Sequence, residues 1–169
     1  TEEFVSWNWK ANGAGSSNTD GNNITSTVSA NTTAGFSVVK WTGDSDAAST
    51  VGHGLGSSGI DWLITKNNDT TNTWYCTTTK LVTGHNIYIS ATAGQTNTSG
   101  STGGGVADLT ASNAFGFIAG SGGVYPNLSG NTITAYCFKS VKGFSTCSAY
   151  VGNGNADGPF VYTGFRPAY

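Results

Sequence analysis

The sequence predicts an all-β fold, and within that class an antiparallel β-sandwich or jelly roll. Three observations favour it. Apolar and polar residues alternate over short stretches, and the helical period is almost absent. Turn residues separate these stretches at regular intervals. Aromatic residues make up 12% of the chain and occur along its whole length, which is typical of a folded core and not of a disordered polar tract.

The length of 169 residues predicts one domain, residues 1–169, that is large enough to bury a β core. The first predicted strand covers residues 4–9, with Val5, Trp7 and Trp9 on one face and Phe4 on the other. Residues 95–105 are rich in Gly, Ser and Thr and predict a mobile surface loop. The other predicted strands are β-branched or aromatic runs between turn residues, at 24–28, 36–41, 60–64, 74–78, 85–90, 114–118, 132–138, 144–151 and 160–163.

A weak internal repeat connects two parts of the chain. A Gly-Phe-Ser triplet at residues 35–37 is followed by an aromatic residue, a Gly turn and the run 51–56. The same triplet at residues 143–145 is followed by an aromatic residue, a Gly turn and the run 161–165. The first copy runs on into a predicted strand, but the sequence stops where the corresponding strand of the second copy would begin. Chance similarity in a Gly-rich chain is the alternative; otherwise the C-terminal part is an unfinished unit.

Charged residues are scarce, at 9% of the chain against roughly 25% in typical soluble domains. The net charge is −2, and the seven basic residues are too scattered to form a surface for nucleic acid. No apolar run approaches the ~18 residues of a membrane span. We therefore expect neither a nucleic-acid partner nor a membrane span. A surface rich in Thr, Ser, Asn and Gly favours an extracellular location.

The chain has three cysteines, Cys76, Cys137 and Cys147, and an odd number allows at most one internal disulfide. Cys137 lies in an apolar, strand-like run, which predicts a small buried side chain. Cys76 and Cys147 are the pair that could form a disulfide, and the sequence leaves this open. None of the three has the Cys-x-x-Cys spacing of a zinc or redox site.

Two Gly-rich segments resemble ligand-binding loops in spelling only. Residues 54–59 read Gly-x-Gly-x-x-Gly, but a dinucleotide loop must be followed by a helix, and a strand is predicted here. Residues 153–158 read like the first half of a calcium loop, but Gly164 stands at the twelfth position, where an acidic ligand is required. We expect no cofactor, with calcium as the alternative that this loop leaves open.

The sequence contains no convincing catalytic set. Asp61 and Asp108 are the only acidic residues in an apolar context, and nothing links them as the carboxylate pair of a glycosidase. The Gly-x-Ser-x-Gly motif is absent, and His53 and His85 fit turn and strand-edge positions better than the role of a base. We therefore expect a protein that is not an enzyme, and keep a polysaccharide-degrading enzyme as a third alternative.

Several motifs resemble those of an uncharacterised β-rich domain family that occurs in structural and tail-fibre-type proteins of marine tailed bacteriophages. The resemblance covers most of the chain and lies in residues 7–11, 18–21, 24–31, 34–37, 50–56, 133–138 and 152–168. It implies a β module of a virion or a similar appendage, with no known enzymatic role and no functional residues to carry over. Members of that family usually continue into another β unit. This sequence ends at Tyr169, which also favours a stand-alone subunit that polymerises.

The first hypothesis is therefore a structural subunit of an extracellular filament or phage fibre, which binds copies of itself head to tail by β-strand exchange. Residues 1–10 are the candidate N-terminal donor strand, and residues 158–169 are the candidate C-terminal donated segment. The alternative is a module that binds a receptor or a cell-surface glycan through outward-facing aromatic residues, since one or two of the five Trp are expected outside the core. The residues expected to mediate assembly are Phe4, Val5, Trp7, Trp9, Phe160, Tyr162, Phe165 and Tyr169.

Overall fold

The computed structural model describes residues 3–4, 6, 8–98, 104–106, 109–111 and 113–167. Within these residues the protein is all-β, with one 3₁₀ helix (Tyr125–Asn127) and no α-helix. The strands are β1 (Ser16–Asn18), β2 (Ser26–Asn31), β3 (Phe36–Thr42), β4 (Thr50–Gly52), β5 (Trp62–Asn67), β6 (Tyr75–Thr78), β7 (His85–Tyr88), β8 (Thr96–Asn97), β9 (Gly105–Val106), β10 (Ala114–Ile118) and β11 (Thr132–Phe138).

The strands form two antiparallel sheets. The larger has eight strands in the order β1-β2-β3-β11-β5-β6-β7-β8, and the smaller has three in the order β4-β10-β9. β11 lies near the middle of the larger sheet, where Tyr136 pairs with Val38 of β3 on one side and with Ile64 of β5 on the other. These two sheets confirm the predicted all-β class and its β-sandwich architecture.

The core lies between the two sheets. Because successive side chains of a strand point to opposite faces, Val39, Leu63 and Ile133 leave the larger sheet on the same side. They belong to one apolar cluster with Val51 and Phe115 of the smaller sheet, and all five are fully buried. Burial of each such side chain contributes about 1.5–3 kcal/mol, so this layer is the main source of stability.

A partly buried polar network holds the 3₁₀ helix against the loop that follows β3. Trp41 Nε1 donates to Asn127 Oδ1 at 3.0 Å, and Asn127 Nδ2 donates to Asp44 Oδ1 at 2.6 Å. Ser49 Oγ donates to Asp44 Oδ2 at 2.6 Å. Burial raises the pKa of Asp44, but hydrogen bonds from Ser49, the Asp46 backbone and Asn127 outweigh it and lower the pKa below its ordinary value.

The two strands predicted near the C-terminus are wrong. Residues 144–151 and 160–163 form no strand. Within residues 139–167 the only β pairing is an isolated bridge between Val141 and Ser145. The reason lies in the strand before it. β11 is bonded to β3 on one edge and to β5 on the other, so the chain that follows cannot return as its hairpin partner.

The N-terminal prediction also needs correction. The described members of residues 4–9 are irregular, and Val5 and Trp7 lie outside the described residues. The strand β1 (Ser16–Asn18) pairs with β2 instead and forms that edge of the larger sheet. A short, polar run such as Ser-Ser-Asn has no alternating pattern that would reveal it in the sequence.

The segment predicted as a mobile loop, residues 95–105, contains strand residues at both ends. Thr96–Asn97 form β8 against β7, and Gly105 begins β9. A Cβ atom at Gly105 would lie 2.2 Å from Asn86 Nδ2, so this position requires glycine for close packing. Glycine here therefore indicates a tight contact, although in the sequence it is indistinguishable from a flexible-loop residue.

Candidate functional site

The outer face of the larger sheet, which points away from the core, is apolar along its centre. The alternation that sends Val39 and Ile133 inward sends their neighbours outward. Register then places the outward residues of three adjacent strands side by side. They are Phe36 and Val38 of β3, Tyr136 and Phe138 of β11, and Trp62 and Ile64 of β5.

Trp9 packs on one end of this face and completes a four-ring cluster. Its ring lies 6.0 Å from that of Phe36 and 5.4 Å from that of Phe138, between centroids. Phe138 stacks in turn on Trp62 at 4.8 Å. Trp9 is therefore held by its own sheet, although it remains about half exposed.

A groove runs along this face from the ring cluster, and we call it the outer groove. At its far end the Trp74 ring stacks on Tyr136 at 6.4 Å with 18° between the planes, and Ile89 N donates to Trp74 O at 3.3 Å. Its volume is about 640 Å³. The described residues that line it carry no charge: Asn8, Trp9, Phe36, Val38, Ile64, Trp74, Ile89, Ser90, Tyr136 and Phe138.

A second groove of about 610 Å³ continues from the ring cluster toward the C-terminal segment. Trp9, Phe36 and Phe138 line both grooves. The second groove also contacts Phe165, and it is more polar, with Lys10 among its lining residues. The C-terminal segment therefore lies next to one end of the outer groove.

Of the residues predicted to mediate assembly, the structure exposes some and packs others against the chain. Phe4, Phe160 and Tyr162 are 86%, 91% and 83% exposed. Phe165 is half-buried and Trp9 lies on the sheet, so these two already have partners within the chain. Val5, Trp7 and Tyr169 lie outside the described residues.

The positions considered for catalysis and metal binding are scattered. Asp61 Oδ2 accepts a hydrogen bond from Ser140 N at 2.6 Å, and Asp108 lies outside the described residues. Asn153 and Asn155 side chains accept hydrogen bonds from backbone N–H groups two residues on, which closes the calcium-like loop on itself. Across the described residues there is no group of three or more His, Cys, Asp or Glu side chains that could hold a metal ion.

The cysteines are free thiols. Cys76 and Cys137 are buried, and Cys147 is half-buried. Burial raises the pKa of Cys137 to about 12, so this thiol stays protonated, as expected of a small core residue. Trp62 Nε1 donates to Cys76 Sγ at 2.7 Å, on the outer face of the sheet.

His53 is a core residue and not an accessible base. It is fully buried, and its Nδ1 accepts a hydrogen bond from Leu55 N at 3.0 Å. Burial, with a smaller effect of Lys139, lowers its pKa from 6.5 to about 4. The ring is therefore uncharged near neutral pH, and the hydrogen bond that it accepts from Leu55 N stabilises the loop that follows β4.

The family described as Domain of unknown function (DUF7483) matches residues 1–169. The chain belongs to this family. No curated protein and no solved structure matches it. A search of the described residues for a helix long and apolar enough to cross a membrane finds none. The fold and the outer groove of this DUF7483 domain are therefore known from its own structure and not from a relative.

Most residues of the outer groove were missed as site residues by sequence reasoning. A signal was present in β3 and β11, whose sequences Phe-Ser-Val-Val-Lys-Trp-Thr and Thr-Ile-Thr-Ala-Tyr-Cys-Phe carry large apolar residues at both alternating sets of positions. A strand with only one buried face alternates more cleanly. Trp74 and Ile89 gave no such signal, because they join the groove only through the pairing of β6 with β7.

Proposed function

We propose that this DUF7483 domain is a non-enzymatic structural subunit of an extracellular filament or phage fibre, and that it assembles head to tail by exchanging terminal segments. The observation that carries the proposal is the exposure of large apolar side chains on segments that have no strand partner. Phe160 and Tyr162 project from irregular chain near one terminus, and Phe4 does so near the other. Single exposed apolar residues are common, but clusters of them mark interaction surfaces.

These exposed side chains would gain free energy by packing into an apolar site of a neighbouring copy. Transfer of a Phe-sized side chain from water into an apolar site contributes about 1.5–3 kcal/mol. Val151, Phe160 and Tyr162 together therefore offer several kcal/mol that the isolated chain does not use. A contact between a terminal segment and a different surface of the next copy is head to tail, and such a contact gives a filament where it does not close into a ring.

Electron microscopy of the purified chain, combined with light scattering over a concentration series, tests this proposal. We expect filaments or growing oligomers from the unmodified chain. The double variant Phe160→Ser/Tyr162→Ser and the variant Phe4→Ser separate the two terminal segments, and Val82→Ser is the control because Val82 is also exposed but belongs to the connection between β6 and β7. A chain that stays monomeric at every concentration would contradict self-assembly.

A receptor- or glycan-binding module is the second candidate. It is favoured by Trp74, whose ring is partly exposed and nearly coplanar with Tyr136, since flat aromatic surfaces of this kind suit sugar rings. A glycan array probed with the wild-type chain and with Trp74→Ala tests it. Binding that Trp74→Ala abolishes, and that Phe160→Ser/Tyr162→Ser leaves intact, would favour this function over assembly.

A further inference from the structure

We infer that the outer groove is the acceptor for the C-terminal segment, residues 148–163, of a second copy of this chain. This inference rests on the proposed self-assembly and adds to it the donor segment and the surface that receives it. The inference concerns the C-terminal segment as donor and does not extend to the exposed Phe4 of the N-terminal segment.

The donor segment has the form of a strand without a partner. Phe160 and Tyr162 occupy alternate positions, so an extended chain presents both on one face and Val161 on the other. Val161 is 45% exposed, about half as much as the two rings. Pro159 precedes them, and its fixed φ suits an extended chain.

The internal repeat explains why this segment is strand-like yet unpaired. Gly35 and Gly143 each precede a Phe-Ser pair and have positive φ values of 65° and 77°. After Gly35 the chain enters β3, which pairs with both β2 and β11. After Gly143 the chain leaves β11, whose two edges are bonded to β3 and β5. In the repeat, residues 161–165 correspond to residues 51–56, which begin in β4 beside β10, and both edges of β10 are bonded to β4 and β9. The segment therefore retains apolar residues suited to a sheet, while β10 and β11 offer it no free edge.

The outer groove and the donor segment are both nearly free of charged side chains. The outer groove is lined by apolar and uncharged polar side chains. Residues 148–163 contain one charged side chain, Asp157, which lies in the Asn-rich turn and not beside the two exposed rings. Burial of an unpaired charge would oppose docking by several kcal/mol, and this contact needs no such burial.

The area available is sufficient for a specific contact. Tyr150, Val151, Phe160 and Tyr162 are each at least 68% exposed. Aromatic side chains bury about 150–250 Å² each, so the donor loses roughly 600 Å² and the two partners together about 1,200 Å². That total reaches the lower end of stable protein–protein interfaces, at about 1,200 Å².

A second copy fits better than the same chain as the source of the segment. Phe165 lines the second groove beside the ring cluster of its own sheet. Phe160 is 91% exposed and therefore does not occupy the outer groove of its own chain. The outer groove of the next copy is identical and is open to this segment.

Mixed-copy cross-linking tests the contact. One chain carries Tyr162→Cys and the other Ile89→Cys, both with Cys147→Ser so that the remaining native thiols are buried. A short bifunctional maleimide is added to the mixture. Ile89 lines the groove and is 54% exposed, and Val82→Cys is the matched control, at 58% exposed and outside the groove. We expect about tenfold more heterodimer with Ile89→Cys than with the control, the ratio that about 1.4 kcal/mol of preference gives.

Equal yields from Ile89→Cys and Val82→Cys would overturn the inference. A cross-link that forms only within a single chain carrying both Tyr162→Cys and Ile89→Cys would also overturn it, because the groove would then receive its own segment. A second variant pair, Ile89→Asp and Val82→Asp, places a charge inside or outside the groove, and only the first should abolish assembly. If oligomers form and Ile89→Asp leaves them intact, self-assembly stands and the groove assignment fails.

Discussion

The β3 strand and the C-terminal segment carry the same Gly-Phe-Ser pattern but differ in structure. Phe36 lies in β3 and is 4% exposed, whereas Phe144 lies in irregular chain and is 62% exposed. The glycines before them have similar backbone angles, so the local sequence acts in the same way at both places. The difference lies in the neighbouring strands: β3 lies between β2 and β11, whereas residues 144–151 follow β11, whose two edges are already bonded to β3 and β5.

We expect the largest effect on stability in the core, where the apolar side chains pack against one another, unlike those of the C-terminal segment. Phe115→Ala removes a fully buried ring from the contact between the two sheets. We expect the free energy of unfolding to fall by about 3–5 kcal/mol, as for other buried Phe-to-Ala changes. Urea unfolding measures it, and a loss below about 1 kcal/mol would mean that the sheets are not held together by this layer.

The buried histidine makes the folded part of the molecule sensitive to acid. The pKa of His53 is about 4 in the folded state and 6.5 when unfolded. Since the unfolded chain takes up the proton first, the stabilisation is complete above pH 6.5 and is lost as the pH falls toward 4, by about 3 kcal/mol in total. We expect His53→Asn, which keeps an acceptor for Leu55 N–H, to flatten this part of the curve of stability against pH. Equal slopes for both proteins would contradict the assignment.

A smaller loss of stability is expected in the partly buried polar network of Trp41, Asn127 and Asp44. Asn127→Ala leaves Trp41 Nε1 without its acceptor and removes a hydrogen bond to Asp44. We expect about 1–3 kcal/mol of lost stability, the usual effect of an unsatisfied buried donor. The loss should shrink as the pH falls through the titration of Asp44, because part of it depends on the charged carboxylate. Thermal unfolding at two pH values measures both effects.

The smallest effect on stability is expected where the side chain has no partner. Phe160→Ser should change the free energy of unfolding of the monomer by less than about 0.5 kcal/mol, because the ring is almost fully exposed. The same change should weaken assembly strongly. Denaturant unfolding at low protein concentration, beside light scattering at high concentration, separates the two. A large loss of monomer stability would show that the segment packs on its own chain.

The sequence predicted the central strands of this protein well. The runs at 36–41, 114–118 and 132–138 agree closely with β3, β10 and β11, since long apolar or β-branched runs between turn residues encode their strand structure locally. Short strands such as β8 and β9 were missed, because two residues carry no period. For the outer groove, sequence reasoning supplied Trp9 as a candidate, but the groove's other members belong to separate strands and meet only through sheet register.

What the sequence determined by itself is the all-β class, the low content of charged residues and the burial of residues such as Cys137, because these follow from composition and from alternation within single runs. What only the tertiary structure decided is which strand-like runs become strands. Phe36 and Phe144 follow the same triplet, but backbone N–H and C=O groups pair only where another strand presents a free edge. The free edges depend on the order of all strands in the sheet, and no local stretch of sequence contains that order.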